Sequence, residues 1–195
     1  SYAAERLLYR TGDSNPFFKI VTSAAPEVDW VILGASHAMP LDFADFNGEM
    51  ERDTGLRIIN LASPGTGPLY NRYVLDGFLG RQRTAQILYV IDSFGFYSQV
   101  WNEDRFGDAK LLTRTPFDLG LASLLAHYVR DEGVSATAVL DYLTGFSKLN
   151  NPQRFEPDVW EGEATFERTF RPSATADQSR IEYLYPDTQR DPGVF

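Results

Sequence analysis

The chain has 195 residues, enough for one domain with a sizeable core. Its formal net charge is −9 and no basic patch or stripe is visible, which argues against nucleic acid and anionic membrane surfaces as partners. It holds no cysteine and only two histidines, His37 and His127, which excludes disulfides, thiol catalysis and a multi-histidine metal site.

Residues 1–10 read as a short amphipathic helix with Leu7, Leu8 and Tyr9 on its apolar side. Residues 11–27 are turn-rich, with Gly12, Asn15, Pro16 and Pro26. A strand is expected at 28–33. Its consecutive Val31, Ile32 and Leu33 lack alternation, as in a strand buried on both faces. Leu41, Phe43, Phe46 and Met50 then recur at helical spacing over 41–54, closed by Gly55. A second strand is expected at 57–62, a helix at 68–80 with Tyr70, Tyr73, Val74 and Phe78 on one face, and a third strand at 86–92.

This β-α-β-α-β rhythm predicts an α/β fold with a parallel sheet between helices, strand one lying between the other two. After residue 95 the rhythm stops. Helices are expected at 117–131 and at 135–146, the second capped by Ser135. Residues 147–195 are aromatic, proline-dotted and irregular, and 181–186 fits either a short strand or a helix end. No apolar run approaches the length of a transmembrane helix or a signal-peptide core. The chain is therefore read as a single domain over 1–195, with its core at 28–95 and a helical insertion or cap at 96–195. Three strands are few for a doubly wound sheet. The expectation is an incomplete sheet whose downstream half lies outside this chain.

The expected strand ends converge on one edge, where open α/β sheets bind ligands. Strand one ends in Gly34-Ala35-Ser36-His37-Ala38, which presents a serine hydroxyl among small residues. A serine needs a base to take its proton and preorganised donors for the oxyanion that forms. The Ser36 N–H is one candidate donor. Strand two runs into Asn60-Leu61-Ala62-Ser63-Pro64-Gly65-Thr66-Gly67, whose Gly65 offers another. Strand three ends at Asp92-Ser93, with Asn102 further on. Ser36 is thus the candidate nucleophile. Ser36, Gly65, Ser93 and Asn102 are candidate oxyanion donors, and His37, Asn60 and Asp92 are candidate pocket residues.

His37 adjoins Ser36, and neighbouring side chains on a tight turn usually point apart. It is expected to line the pocket or to hydrogen-bond the end of strand three, not to act as that serine's base. His127 sits among Leu124, Leu125 and Tyr128 and reads as a packing histidine. The literal Gly12-Asp13-Ser14 follows no strand and reads as a decoy. The run 101–108 reads as a solvated loop with Arg105 paired internally; sugar stacking and calcium binding are its sharper readings, although it lacks the EF-hand spacing.

These blocks resemble the SGNH (GDSL-like) hydrolase superfamily, whose members are flavodoxin-like α/β esterases, lipases and carbohydrate O-acetyl esterases or transferases. Gly34-Ala35-Ser36 is similar to its G-D-S block, with alanine for aspartate. Asn60 and Gly65 match its N-x-G-x-x-G block, with Ala62 for the first glycine. Ile91-Asp92-Ser93-Phe94 stands where that family has G-x-N-D, so the oxyanion asparagine is missing. The D-x-x-H that supplies the base is absent from the chain. The match covers about residues 28–95.

The resemblance implies a serine-dependent ester hydrolase or O-acyltransferase on an acyl ester, the acetyl ester among them, of a carbohydrate or small molecule. It implies no cofactor, no metal, and a base histidine beyond residue 195. It also implies an extracytoplasmic setting, with a membrane tether possible upstream of residue 1. Oligomeric state is left open. The missing D-x-x-H keeps a second expectation alive: a non-catalytic module that binds a cell-envelope glycan or a protein partner.

Overall fold

The computed structural model describes residues 15–23, 25–107, 112, 115 and 117–145. The expectations for 1–10, for Gly12-Asp13-Ser14 and for 147–195 lie outside these residues.

Helix α1 spans Pro16–Thr22, a stretch the sequence pattern assigns to turns. The Asn15 side chain accepts from the N–H groups of Phe17 and Phe18, and Pro16 opens the first turn, so cap and proline start a helix here. Strand β1 follows at Glu27–Gly34. A 3-10 segment, Met39–Asp45, leads into α2 at Phe46–Thr54, so the expected single helix over 41–54 is split. Strand β2 is only Ile58–Asn60. Helix α3 spans Pro68–Leu79, and strand β3 spans Arg83–Val90.

The sheet is parallel with order β2-β1-β3, as the rhythm predicts. Registration of Glu27 with Arg83 starts β3 earlier than its apolar run does, and registration of Gly34 with Val90 ends it earlier. Ile91 and Asp92 thus leave the ladder.

Beyond β3 come 3-10 turns at Ser93–Phe96, Gln99–Trp101 and Glu103–Gly107. Helices α4 (Leu119–Asp131) and α5 (Ala136–Thr144) follow, capped by the side chains of Asp118 and Ser135. One face of β1, with Val31 and Leu33, packs into a core with α1, α3, α4 and α5. Phe17, Tyr70, Tyr73, Phe106 and Tyr128 form its aromatic centre, with ring centroids between 5.1 and 6.0 Å apart. Ile32 on the other face packs with Ala38, Met39 and Ala62, next to Met50 of α2.

Lys19 on α1 is buried, and its Nζ donates to Asp42 and to the Asn60 carbonyl at 2.9 Å each. This bond anchors the end of β2 from below. A buried ammonium is tolerated only with such partners. Among the described residues no helix is long and apolar enough to cross a membrane.

Candidate functional site

The site is built around the turn that ends β1. Gly34 has φ +152°, and a Cβ there would lie 2.8 Å from Ala38 Cβ and 2.9 Å from the Val90 carbonyl oxygen. Only glycine fits this corner without strain. Ala38 N–H donates to Ala35 O at 3.0 Å and Met39 N–H to Ser36 O at 3.3 Å, so the chain folds back at once. Ser36 is half-buried. Among the described residues its hydroxyl has no hydrogen-bond partner, so it caps no helix.

Loop 61–67 is bound to this corner through buried polar groups. Leu61 N–H donates to Ile32 O at 2.8 Å, and Ser63 N–H to Gly34 O at 3.2 Å. Thr66 Oγ1 lies 2.8 Å from the Ser63 carbonyl oxygen and 3.2 Å from that of Gly34. Asn71 Oδ1 accepts from Gly34 N–H at 2.9 Å, while its amide donates to Gly67 O at 3.0 Å. Thr66 and Asn71 were not singled out from the sequence. Both are buried polar residues with several partners, the pattern of a network that fixes geometry.

Asn60 takes a similar part. Its Nδ2 donates to Ala38 O at 2.9 Å and its Oδ1 accepts from Ala62 N–H at 3.0 Å. The expected pocket asparagine is a buried brace between the serine turn and loop 61–67.

Gly65 has φ +65°, so its loop needs glycine there. Its N–H has no acceptor among the described residues, and neither has that of Ser36. Arg105 lies over it: its Nη2 donates to Pro64 O at 2.7 Å, and a Cβ on Gly65 would meet that Nη2 at 2.3 Å. The internal pairing expected of Arg105 is thus a bond to the loop that carries Gly65. Nothing local in the sequence signals this contact across 41 positions.

Asn102 does not supply the expected oxyanion donor. Its Nδ2 donates to Gly95 O at 2.6 Å and Ser98 O at 2.8 Å, which uses both of its N–H bonds. Its Oδ1 accepts from Leu69 N–H at 2.9 Å and so caps α3. Ser93 is exposed on the turn that leaves β3. His127 is exposed on α4, not packed as its apolar neighbours suggest.

His37 does reach the end of β3, one of its two expected roles. Its Nδ1 lies 2.5 Å from Asp92 Oδ1. Both side chains are largely shielded, and Asp92 Oδ2 is buried without a partner among the described residues. The run 101–107 is only partly a solvated loop, because Phe106 lies in the aromatic core. Among the described residues no three His, Asp or Glu side chains converge to hold a metal ion.

No protein-family model, no curated protein and no solved structure matches this chain.

Proposed function

We propose that the chain is a serine-dependent ester hydrolase or O-acyltransferase built on a flavodoxin-like, SGNH-type core. Its substrate is an acyl ester of a carbohydrate or small molecule. The observation that carries this reading is the Ser36 hydroxyl, uncommitted on a sharply turned, heavily braced corner at the C-terminal edge of the sheet. In this corner Asn60, Thr66 and Asn71 are engaged in bracing, and Ser63 Oγ is buried without a partner among the described residues, whereas the unpartnered Ser36 is half-buried and so open to a ligand.

Ser36 Oγ attacks the acyl carbonyl and passes its proton to a general base, a role assigned to neither His37 nor His127, since neither is hydrogen-bonded to Ser36. The backbone N–H groups of Ser36 and Gly65 receive the oxyanion, and one such donor is commonly worth about 10²–10³ in kcat. Arg105 adds a fixed positive charge beside the Gly65 loop. Collapse expels the alcohol, which takes the proton back. Water or a second hydroxyl then resolves the acyl-enzyme, giving hydrolysis or transfer.

The second reading is a non-catalytic binding module on the same fold. It is favoured by the missing D-x-x-H and by Asn102 serving as a cap. Turnover of an aryl acetate, with mass spectrometric mapping of a fluorophosphonate adduct, separates the two. The expected result is an adduct on Ser36 and loss of turnover in Ser36→Ala. Equal turnover by wild type and Ser36→Ala, with no adduct, overturns the serine mechanism.

A further inference from the structure

We infer that His37 and Asp92 are positioning residues for Ser36: together they strap the serine turn to the end of β3, and the imidazole acts there as a hydrogen-bond donor, not as the base. This inference rests on the ester-hydrolase reading above.

The argument starts from where the ladder stops. The last paired residues of β1 and β3 are Gly34 and Val90. Residues 35–38 therefore have no ladder bond on the β3 side. On the β2 side the turn is braced by Asn60 to Ala38 O, and Gly34 is braced by Asn71 and Thr66. On the β3 side the link found is the His37–Asp92 contact at 2.5 Å, between residues 55 positions apart. It is a charge-assisted type of bond, shorter and stronger than a neutral one.

His37 follows Ser36 directly. Anchoring its ring restrains the peptide plane between the two residues, which holds the Ser36 carbonyl and the His37 N–H, and so restrains the Ser36 Cα from which the hydroxyl projects. The same geometry argues against a base role. A general base must lie within hydrogen-bond reach of the proton it takes. The Ser36 hydroxyl has no hydrogen bond to His37 or to any other described group. Asp92 holds Nδ1, which ties the ring to the end of β3.

The two roles separate with a glutamine. His37→Gln keeps a side-chain N–H that can reach Asp92 but cannot accept a proton at neutral pH. His37→Ala and Asp92→Ala remove the strap. Fluorophosphonate labelling of Ser36 and aryl acetate turnover are measured for each across pH. We expect both alanine variants to slow by about 10- to 100-fold, the scale of a misplaced reacting group. The glutamine variant recovers most of that loss with an unchanged pH profile. Alanine variants that react at the wild-type rate overturn the inference. So does a glutamine variant as slow as His37→Ala that free imidazole rescues, since that marks a base.

A readout independent of activity distinguishes failure of the strap from failure of the ester-hydrolase reading. Long-range ¹⁵N–¹H spectra of His37 show the Nδ1–H form in wild type and lose it in Asp92→Ala if the strap exists. Absence of that form in wild type overturns the strap whatever the activity. An unlabelled Ser36 with the Nδ1–H form intact overturns the enzyme reading, and with it the claim that the strap positions a nucleophile.

Discussion

β1 and β3 are built from the same kinds of residue and end in opposite environments. Val31, Ile32 and Leu33 of β1 are 0, 2 and 3 % exposed. Their register partners on β3 include Ile87 and Leu88, which are 45 and 39 % exposed. Ile91, just past the strand, is 56 % exposed. An unbroken apolar run is the mark of a strand covered on both faces. In β1 that expectation is met, because β2, β3 and helices on both sides enclose it. In β3 one edge has no ladder partner among the described residues. Burial is set by neighbours, and the sequence run records only what the strand is suited to. An edge strand this apolar is also a site for pairing with another strand, since no lysine or proline interrupts it.

The largest expected effect tests this contrast directly. Ile32→Ala removes a fully enclosed side chain and should cost about 2–5 kcal/mol in urea unfolding. Leu88→Ala, at the paired position, should cost only about 0.5 kcal/mol, as exposed positions do. If the two variants lose equal stability, β3 is covered in solution. Sedimentation at rising concentration then shows whether a second copy is what covers it.

A smaller effect is expected where the two strands part. Gly34→Ala places a methyl against Ala38 Cβ and the Val90 carbonyl and forces a backbone conformation that alanine rarely adopts. The expected loss is about 1–3 kcal/mol in urea unfolding, the cost of one strained or overpacked position. Because Gly34 also holds Ser63, Thr66 and Asn71, labelling of Ser36 should fall by more than the loss of folded protein explains. Labelling that tracks the folded fraction alone would mean the corner tolerates movement.

The alternating strands and helices, the central place of β1 and the cap at Ser135 were legible because each rests on a local pattern. So was the gathering of Ser36, His37 and Asp92 at one edge, because it follows from where parallel strands end. α1 was misread because Asn15-Pro16 signals a turn and a helix start equally well. The expected helix over 41–54 opens as a 3-10 segment in which Asp42 turns inward to Lys19, a contact with no local signature. The parts played by Asn102, Arg105 and Asn71 were hidden for the same reason. Each is decided by a partner more than 30 positions away.

The smallest effect is expected in alkali, and it separates the helical face from β3. Burial pushes the Tyr73 phenol well up, and burial with the Asp76 hydrogen bond at 2.6 Å pushes Tyr128 up. Tyr89 on β3 is raised as well, by partial burial and then by the Asp92 charge. A raised pKa means the folded state holds the proton more tightly than the unfolded chain does. The stabilisation is therefore full below the free phenol value of about 10 and is lost as pH rises toward the folded values. Melting temperature should hold from pH 7 to near 10 and fall above it. Tyr128→Phe should start lower at pH 8, having lost the Asp76 bond, and then fall less steeply. In absorbance titrations Tyr89 should ionise while the fold persists, because β3 lies open, whereas Tyr73 and Tyr128 should ionise only as it unfolds. If all three ionise together with unfolding, β3 is as enclosed as the helical face, and the contrast between the two strands fails.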